Sequence, residues 1–267
     1  MDLKLTGRSV LITGASRGIG FSIAKVFASE GCGLHLAARD PERLRSAADE
    51  IRRLHGVAAA TYPCDLSRTA EVDKLAKACG EVDILVNNAG GIPRGNLQEI
   101  DGATWRRAWD LKVFGFIDLT RLVLPRMYAR GHGVIVNVIG SAGERPDPNY
   151  VAGCVGNAAL NMFVECLGGE SIRHGVRVVA VNPGPVMTDR FLEGLHRRAE
   201  RQYGDANRWP ELLREELPSG RAGTPDEVAN AVAFLASDLA AYASGAALRI
   251  DGGFFGSFRA SGARRAG

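Results

Sequence analysis

The chain has 267 residues, of which 46% are hydrophobic and 24% are charged, a balance typical of a globular protein with one sizeable core. The formal net charge is only +3, from 33 Lys and Arg against 30 Asp and Glu. The basic residues are scattered, apart from a short basic tail at residues 259–265 that we interpret as a chain end. This composition argues against a nucleic-acid-binding surface, so we expect no nucleic-acid partner.

The cysteines and histidines indicate neither a disulfide scaffold nor a metal site. The five cysteines show no C-x-x-C spacing, and the five histidines are far apart, without an H-E-x-x-H pattern. We therefore expect no metal, and a reducing, cytoplasmic setting. The first fifteen residues contain an acidic residue and an apolar run too short for an export signal or a membrane span, so we expect no membrane partner.

Short apolar runs alternate with longer amphipathic segments along the chain. The runs do not themselves alternate between apolar and polar residues, which indicates strands that are covered on both faces. Asp40 before Pro41 and Thr224 before Pro225 are typical helix starts. The pattern predicts an α/β fold with a doubly wound parallel sheet of the Rossmann type, in a single domain over residues 1–267. The seven expected strands lie at residues 9–13, 33–38, 57–63, 83–88, 133–138, 176–182 and 247–250.

A glycine-rich segment follows the first expected strand. In "TGASRGIG", residues 13–20, Gly14, Gly18 and Gly20 permit a tight turn and a close approach of the backbone to a phosphate at a helix N-terminus. No Gly-Lys-Ser/Thr follows, which argues against a nucleoside-triphosphatase loop. Three glycines alone are also compatible with a turn of purely structural role.

Further segments in the same order together resemble the short-chain dehydrogenase/reductase family over residues 7–253. They are "CDLS" (64–67), "NNAG" (87–90), "GVIVNV" (133–138), "NPGPVMTDR" (182–190), "GRAGTPDEVANAVAFLAS" (220–237) and "DGG" (251–253). The resemblance implies an NAD(P)-dependent oxidoreductase acting on a small-molecule substrate. It implies that Asp65 and Leu66 flank the adenine and that residues 88–90 pass the ribose. The implied cofactor-binding residues are Gly14, Ser16, Arg17, Gly18, Ile19, Gly20, Arg39, Asp65, Leu66, Asn88, Ala89, Gly90, Pro183, Gly184 and Thr188.

The residues after the second strand indicate which cofactor is preferred. An adenosine 2′-hydroxyl is held by a carboxylate there, whereas a 2′-phosphate is held by guanidinium groups. The strand ends in "AARD", and Arg39 there is joined by Arg17 from the glycine loop. We therefore predict NADP(H) rather than NAD(H), with Asp40 occupied as a helix cap.

The family's catalytic positions carry unusual residues in this chain. In the family a serine, a tyrosine and a lysine act together, and the phenol exchanges a proton with the substrate oxygen while hydride moves to or from the nicotinamide. The resemblance of residues 137–143 and 157–163 to the family pattern places Gly140, Gly153 and Asn157 in these three positions without a gap. An alternative takes Tyr150 as the family tyrosine and puts Cys154 in the lysine position, which requires the helix to slip by three residues.

A fourth family residue, an asparagine on an earlier helix, is replaced by Lys112 in "DLKVFG". On one predicted helix Tyr150 and Asn157 lie near the same face, with Gly153 leaving space between them. We therefore hypothesise a rearranged site in which Tyr150 donates the proton and Lys112 is its electrostatic partner or itself the acid. Ser141 and Asn157 then orient the substrate oxygen.

Other interpretations remain open from the sequence. Tyr150 can instead cap a helix while Lys112 extends to solvent, leaving a catalytically silent NADP(H)-binding sensor or partner subunit. A non-redox lyase or isomerase on the same fold is a third possibility. We favour carbonyl reduction, because a neutral phenol or an ammonium donates a proton without first being deprotonated.

We also expect a lid over the substrate entrance and a homo-oligomer. Residues 187–218 form a long insertion where substrate is expected to enter, and we interpret it as a lid. Its apolar residues either wall a pocket or pack between helices; they are Met187, Phe191, Leu195 and Trp209. The resemblance also implies a homo-oligomer, a dimer or tetramer, paired through long helices at residues 101–129 and 150–173.

Overall fold

A computed structural model describes residues 2–257, so the basic tail lies outside the described residues. Seven parallel strands form one sheet in the order β3-β2-β1-β4-β5-β6-β7, and this confirms the predicted doubly wound sheet in a single domain. The third strand begins two residues later than expected, because the left-handed Gly56 ends the preceding helix and residues 57 and 58 connect it to the strand. The strands β1 to β7 are Ser9–Thr13, Gly33–Ala38, Ala59–Pro63, Ile84–Asn87, Gly133–Val138, Val176–Pro183 and Ala247–Ile250.

Helices cover both faces of the sheet. Successive side chains of β1 enter opposite cores: Val10 and Ile12 pack with the helices at residues 18–29, 41–55 and 225–236, while Leu11 packs with those at residues 69–78, 115–130 and 151–171. This two-sided burial explains why the strands are apolar without alternation. The helices α1 to α9 are Gly18–Ser29, Pro41–His55, Thr69–Ala78, Gly102–Trp109, Gly115–Arg130, Val151–Ser171, Asp189–Tyr203, Trp209–Glu216 and Pro225–Ala236.

Both expected helix caps are present. The Asp40 carboxylate accepts hydrogen bonds from the backbone N–H groups of Glu42 and Arg43 at the start of α2. At the start of α9, Thr224 and Glu227 form a reciprocal capping box. The Asp40 carboxylate is thus occupied within the fold, as the cofactor prediction required.

A π-helical turn at Asp110–Phe114 joins α4 to α5. Turns of this kind widen a helix by one residue and are frequent at functional sites. Here the turn carries Lys112, whose side chain is only 9% exposed.

One helical stretch among the described residues, residues 151–174, is long and apolar enough to cross a membrane by length and composition. An 18-residue window within it has a mean hydropathy of 1.3. This is a weak indication, because helices of a protein core pass the same test. Within this stretch α6 packs against β6, and its Leu160 and Val164 are buried in the core beside the sheet.

The segment 187–218 folds into α7 and α8, which enclose a small apolar cluster of their own. Leu195 is 1% exposed in this cluster, and Met187, Phe191 and Trp209 pack against it. These side chains therefore serve helix packing, the second of the two interpretations considered above. The chain also contributes Phe254, from the segment after β7, to the same cluster.

Candidate functional site

The glycine loop brings the start of α1 to the carboxyl edge of the sheet. Gly18 has φ +55°, and a Cβ on Gly20 would lie 2.2 Å from the Gly14 carbonyl oxygen, so both positions require glycine. Among the described residues no side chain caps α1 and no acidic residue lies in its first turn, a combination that α6 shares, whereas side chains cap α2, α4, α7 and α9. The free N–H groups at this helix start fit a phosphate group.

The segment after β4 packs directly on this loop. The Thr13 hydroxyl accepts hydrogen bonds from the backbone N–H groups of Asn88 and Ala89, at 2.9 and 3.0 Å. The Asn88 side-chain amide donates to the Thr13 carbonyl at 2.9 Å. Residues 88–90, expected to pass the ribose, thus lie against the expected phosphate loop.

The segment after β6 reaches the same place. A Cβ on Gly18 would lie 3.4 Å from the Thr188 methyl group, and the Thr188 hydroxyl caps α7 by accepting from the Phe191 N–H at 3.3 Å. Close to this segment, a Cβ on Gly184 would lie 2.6 Å from the Asp251 side chain. The structure therefore brings together three of the segments that were expected to hold the cofactor.

The remaining cofactor residues lie on neighbouring loops. Asp65 closes a turn, because one carboxylate oxygen accepts from both the N–H and the hydroxyl of Ser67. Leu66 is 5% exposed. Arg17 and Arg39 are exposed, and within residues 2–257 neither guanidinium has an ion pair or a hydrogen bond. Both guanidinium groups are therefore available to a ligand.

Lys112 does not extend to solvent. Its stem runs over Gly90, where a Cβ would lie 2.9 Å from Lys112 Cδ, and its Nζ donates to the Ile139 carbonyl oxygen at 2.5 Å. Loss of solvation, with a smaller contribution from the Arg190 charge, lowers the pKa of Lys112 to about 8. The ammonium thus lies at the carboxyl end of β5, and the interpretation that placed it in solvent is wrong.

Tyr150 lies immediately before α6 and not on it, which corrects the single helical face drawn from the sequence. Its ring covers Gly153, where a Cβ would lie 2.1 Å from the ring carbon that bears the hydroxyl. Tyr150 occupies the N-cap position of α6, as the cap interpretation expected, but among the described residues its side chain makes no capping hydrogen bond. Burial raises the pKa of Tyr150, and the charges of Arg190 and Arg94 partly oppose that effect.

Asn157 and Ser141 are both buried near the end of β5. Gly140 has φ +135°, a conformation that favours glycine, and a Cβ there would lie 3.0 Å from the Asn157 amide nitrogen. Asn157 is 3% exposed, and its amide oxygen has no hydrogen-bond partner in the described part of the chain. Ser141, 8% exposed, begins a short 3₁₀ turn next to Gly140. The amide of Asn157 and the ammonium of Lys112 therefore approach neighbouring residues of one loop.

The sequence reasoning missed Arg190, in the first turn of α7. Its guanidinium lies against Gly91, where a Cβ would be 2.6 Å from Nη1, and it donates to the Ile92 carbonyl at 3.1 Å. The signal that could have revealed it is local: a positive charge in the first turn of a helix opposes the helix dipole. Such a local inconsistency points to a role outside the helix itself.

No group of three or more His, Cys, Asp or Glu side chains within residues 2–257 is arranged to hold a metal. All five cysteines are free. Cys154 directs its thiol toward the carbonyl oxygens of Arg145 and Asp147, at 3.7 and 3.8 Å.

Comparison with known proteins identifies the family. Residues 14–255 match the family model described as enoyl-(acyl carrier protein) reductase. The chain is 33% identical over 258 residues to 7alpha-hydroxysteroid dehydrogenase of Escherichia coli K12, covering 94% of this chain and 96% of that one. It is 34% identical over 259 residues to galactitol 2-dehydrogenase (L-tagatose-forming) of Cereibacter sphaeroides, again covering 94% and 96%.

Solved structures agree with this assignment. L-sorbose reductase of Gluconobacter frateurii, in complex with NADPH and L-sorbose, superposes with a TM-score of 0.91 at 33% identity, covering 97% of this chain and 100% of that one. A 7 alpha-hydroxysteroid dehydrogenase complexed with NADH and 7-oxo glycochenodeoxycholic acid gives 0.83 at 32% identity, covering 94% and 96%. With seven parallel strands, a glycine loop at the start of α1 and relatives of this similarity over nearly its whole length, the chain is an oxidoreductase that belongs to the short-chain dehydrogenase/reductase family.

Proposed function

We propose that the protein reduces the carbonyl group of a small organic substrate with NADP(H), using a rearranged set of proton-donating groups. The observation that carries this proposal is the buried Lys112 ammonium, fixed at the Ile139 carbonyl beside the sheet edge where the cofactor segments meet. Burial of an ammonium destabilises a fold, and buried ionisable groups with shifted pKa values are frequent at active sites. The burial of Lys112 at this edge of the sheet therefore favours catalysis over silent binding.

The cofactor site fits a dinucleotide phosphate. The uncapped start of α1 suits the pyrophosphate, and the exposed, unpaired Arg17 and Arg39 suit a 2′-phosphate. Solved relatives include complexes with NADPH and with NADH, so the preference for NADP(H) rests on these two arginines. When bound, the nicotinamide supplies or accepts the hydride. Asp65, Leu66, residues 88–90 and residues 183–188 are proposed to hold the rest of the cofactor.

Lys112 is the proposed proton donor to the substrate oxygen. With a pKa of about 8, its ammonium is protonated at neutral pH and gives up a proton readily. The raised pKa of Tyr150 keeps its phenol neutral, so we assign to Tyr150 a hydrogen bond to the same oxygen. Asn157 and Ser141 are proposed to complete the binding of that oxygen or of a neighbouring hydroxyl.

Two structural features are proposed to serve this reaction. The α7–α8 segment is proposed as a lid, because its first turn sends Arg190 to the Ile92 carbonyl at the site. The π turn and α6 expose Phe114, Val155 and Met162, which are 49%, 47% and 58% exposed. We propose that this apolar surface pairs two copies of the chain in a homo-oligomer.

Substitution of the two proposed groups tests the reaction. We expect Lys112→Met to lower kcat for carbonyl reduction by about 100-fold or more, and Tyr150→Phe to lower it less, since general acid catalysis contributes about 10²- to 10⁴-fold. For the unsubstituted protein, kcat/KM should fall as pH rises above about 8, where the ammonium loses its proton. NADPH oxidation with a panel of aldehydes and ketones is the measurement.

The exposed Lys77, on α3, provides the matched control, because Lys77→Met removes the same charge far from the sheet edge. Full kcat in both Lys112→Met and Tyr150→Phe would disprove the rearranged site. NADPH binding without any turnover would instead favour a sensor or partner subunit. Conversion of a substrate with no change in nicotinamide absorbance would favour a lyase or isomerase.

Burial of Lys112 also predicts a pH-dependent stability. Its pKa is lowered from 10.5 to about 8, so the folded state binds this proton less tightly than the unfolded state and stability increases as pH rises between these values. Below pH 8 the buried charge costs about 3 kcal/mol. We expect Lys112→Met to raise the free energy of unfolding at pH 7 by about 1 to 3 kcal/mol, allowing for the lost hydrogen bond, and to raise it much less near pH 10.

Urea denaturation of both proteins at the two pH values measures this difference. The free energy of unfolding of the Lys77→Met protein should differ from that of the unsubstituted protein by the same amount at pH 7 and at pH 10. A gain from Lys112→Met that is the same at pH 7 and pH 10 would show that the ammonium is not buried as described.

Gly153 is expected to be required for the position of Tyr150. An added Cβ would lie 2.1 Å from the ring, so Gly153→Ala must displace the phenol and should lower kcat at least as much as Tyr150→Phe. Gly169, on the same helix, has no atom within 4 Å of an added Cβ, so Gly169→Ala should leave kcat unchanged and stabilise α6 by up to about 1 kcal/mol. Steady-state kinetics and thermal unfolding compare the two variants. Equal behaviour of the two alanine variants would contradict the proposed role of the Tyr150 ring.

Cofactor preference is tested at Arg39. Loss of a charged hydrogen bond to a 2′-phosphate should weaken NADP⁺ binding by about 10- to 100-fold in Arg39→Ala, while NAD⁺ binding stays unchanged. Arg53, exposed on α2, is the matched control for loss of one positive charge. Isothermal titration with both dinucleotides measures the effect. Unchanged NADP⁺ affinity in Arg39→Ala would mean that Arg39 does not read the 2′-phosphate.

A further inference from the structure

The Arg190 guanidinium carries a charge that the fold does not neutralise. Its hydrogen-bond partner is the Ile92 carbonyl at 3.1 Å, and no ion pair within residues 2–257 includes it. A carbonyl oxygen offsets only part of a guanidinium charge and uses few of its five N–H donors. Arg190 therefore retains both charge and hydrogen-bonding capacity for a ligand.

The surroundings of Arg190 are positive. Its charge lowers the pKa of both Lys112 and Tyr150, so the guanidinium lies within electrostatic reach of the two proposed catalytic groups. Arg94 lies 5.2 Å from the centre of the Tyr150 ring, and Asp147, at 2.5 Å, already neutralises it. Two positive charges, those of Lys112 and Arg190, thus remain without a carboxylate partner among the described residues at this site.

The stability of α7 does not explain why an arginine occupies position 190. The second residue of a helix favours an acidic side chain, and a positive charge there opposes the helix dipole. Its guanidinium also lies over Gly91, where an added Cβ would come within 2.6 Å of Nη1. Arg190 is an exposed residue whose guanidinium thus lies against the loop of Gly91 and Ile92 beside the site.

We propose that Arg190 recognises a carboxylate on the carbonyl substrate, so that the preferred substrates are oxo acids rather than neutral aldehydes or ketones. This inference rests on the proposed carbonyl reduction and names its substrate class. A guanidinium binds a carboxylate through two parallel hydrogen bonds, which fixes orientation as well as affinity. The buried, unpartnered amide oxygen of Asn157 accepts hydrogen bonds, so it suits a hydroxyl group of the substrate and not its carboxylate.

A phosphate group of the cofactor is the alternative anionic ligand for Arg190. In the segment after β6, the Thr188 side chain lies next to Gly18 of the glycine loop. Arg190 instead contacts Gly91 and Ile92, on the side of Lys112 and Tyr150. This placement assigns the guanidinium to the substrate.

The test compares short-chain oxo acids with their methyl esters as substrates for NADPH oxidation. We expect the unsubstituted protein to favour the acids. Arg190→Gln should raise KM for the acids by about 10- to 100-fold, the usual effect of losing a charged hydrogen bond, and should leave KM for the esters unchanged. Arg190→Lys should retain part of the preference, because it keeps the charge but not the paired geometry.

The matched control is Arg197→Gln, which removes an exposed guanidinium from the same helix and should change neither series. Titration with NADPH distinguishes the two anions. Weaker NADPH binding in Arg190→Gln, with equal effects on acids and esters, would assign Arg190 to the cofactor and overturn the proposal. Equal use of acids and esters by the unsubstituted protein would overturn it as well.

A binding measurement separates this proposal from the proposed reaction. Trp105, Trp109 and Tyr150 pack against the same small apolar cluster, so oxo acids that bind beside Tyr150 should change tryptophan fluorescence. If no carbonyl compound oxidises NADPH, the proposed reduction fails. Oxo-acid binding that is lost in Arg190→Gln would still support the carboxylate site, whereas absence of such binding in the unsubstituted protein would disprove it.

Discussion

The arrangement of the site depends on keeping the Lys112 ammonium away from water. No carboxylate of the described residues pairs with it, and its one hydrogen-bond acceptor is the Ile139 carbonyl. A single carbonyl does not repay the loss of hydration, so the fold holds Lys112 in an unfavourable state. Under the proposed reaction this loss of stability accompanies a reactive group, which is the usual exchange between stability and activity.

Four of the polar side chains at this site lie over a glycine. Each of the four crosses its glycine at a distance that leaves little or no room for a Cβ. The site thus contains pairs of residues in which a large polar side chain occupies the space that a neighbouring glycine leaves free. The pairs are Gly90 with Lys112, Gly91 with Arg190, Gly140 with Asn157 and Gly153 with Tyr150.

Much of the fold could be predicted from local patterns. The strands are short apolar runs between turns, and five of the seven began at the residue expected from the sequence. The helix starts at Asp40 and Thr224 followed from side-chain chemistry that acts within three or four residues. The site could be predicted only in part. The charged side chain that reaches the end of β5 is determined by contacts between residues that are distant in the chain.

The amino-acid sequence by itself determined the order of strands and helices along the chain and the glycine loop. These features depend on periodicity and on turn chemistry, which are local. Only the tertiary structure decided that Tyr150 lies before α6 with its ring over Gly153, that Lys112 is buried, and that Arg190 joins them. Those outcomes depend on contacts between elements that are distant in the chain. Whether a side chain enters a site or turns to solvent depends on a few ångströms of space between these elements, and residue spacing along the chain does not encode that space.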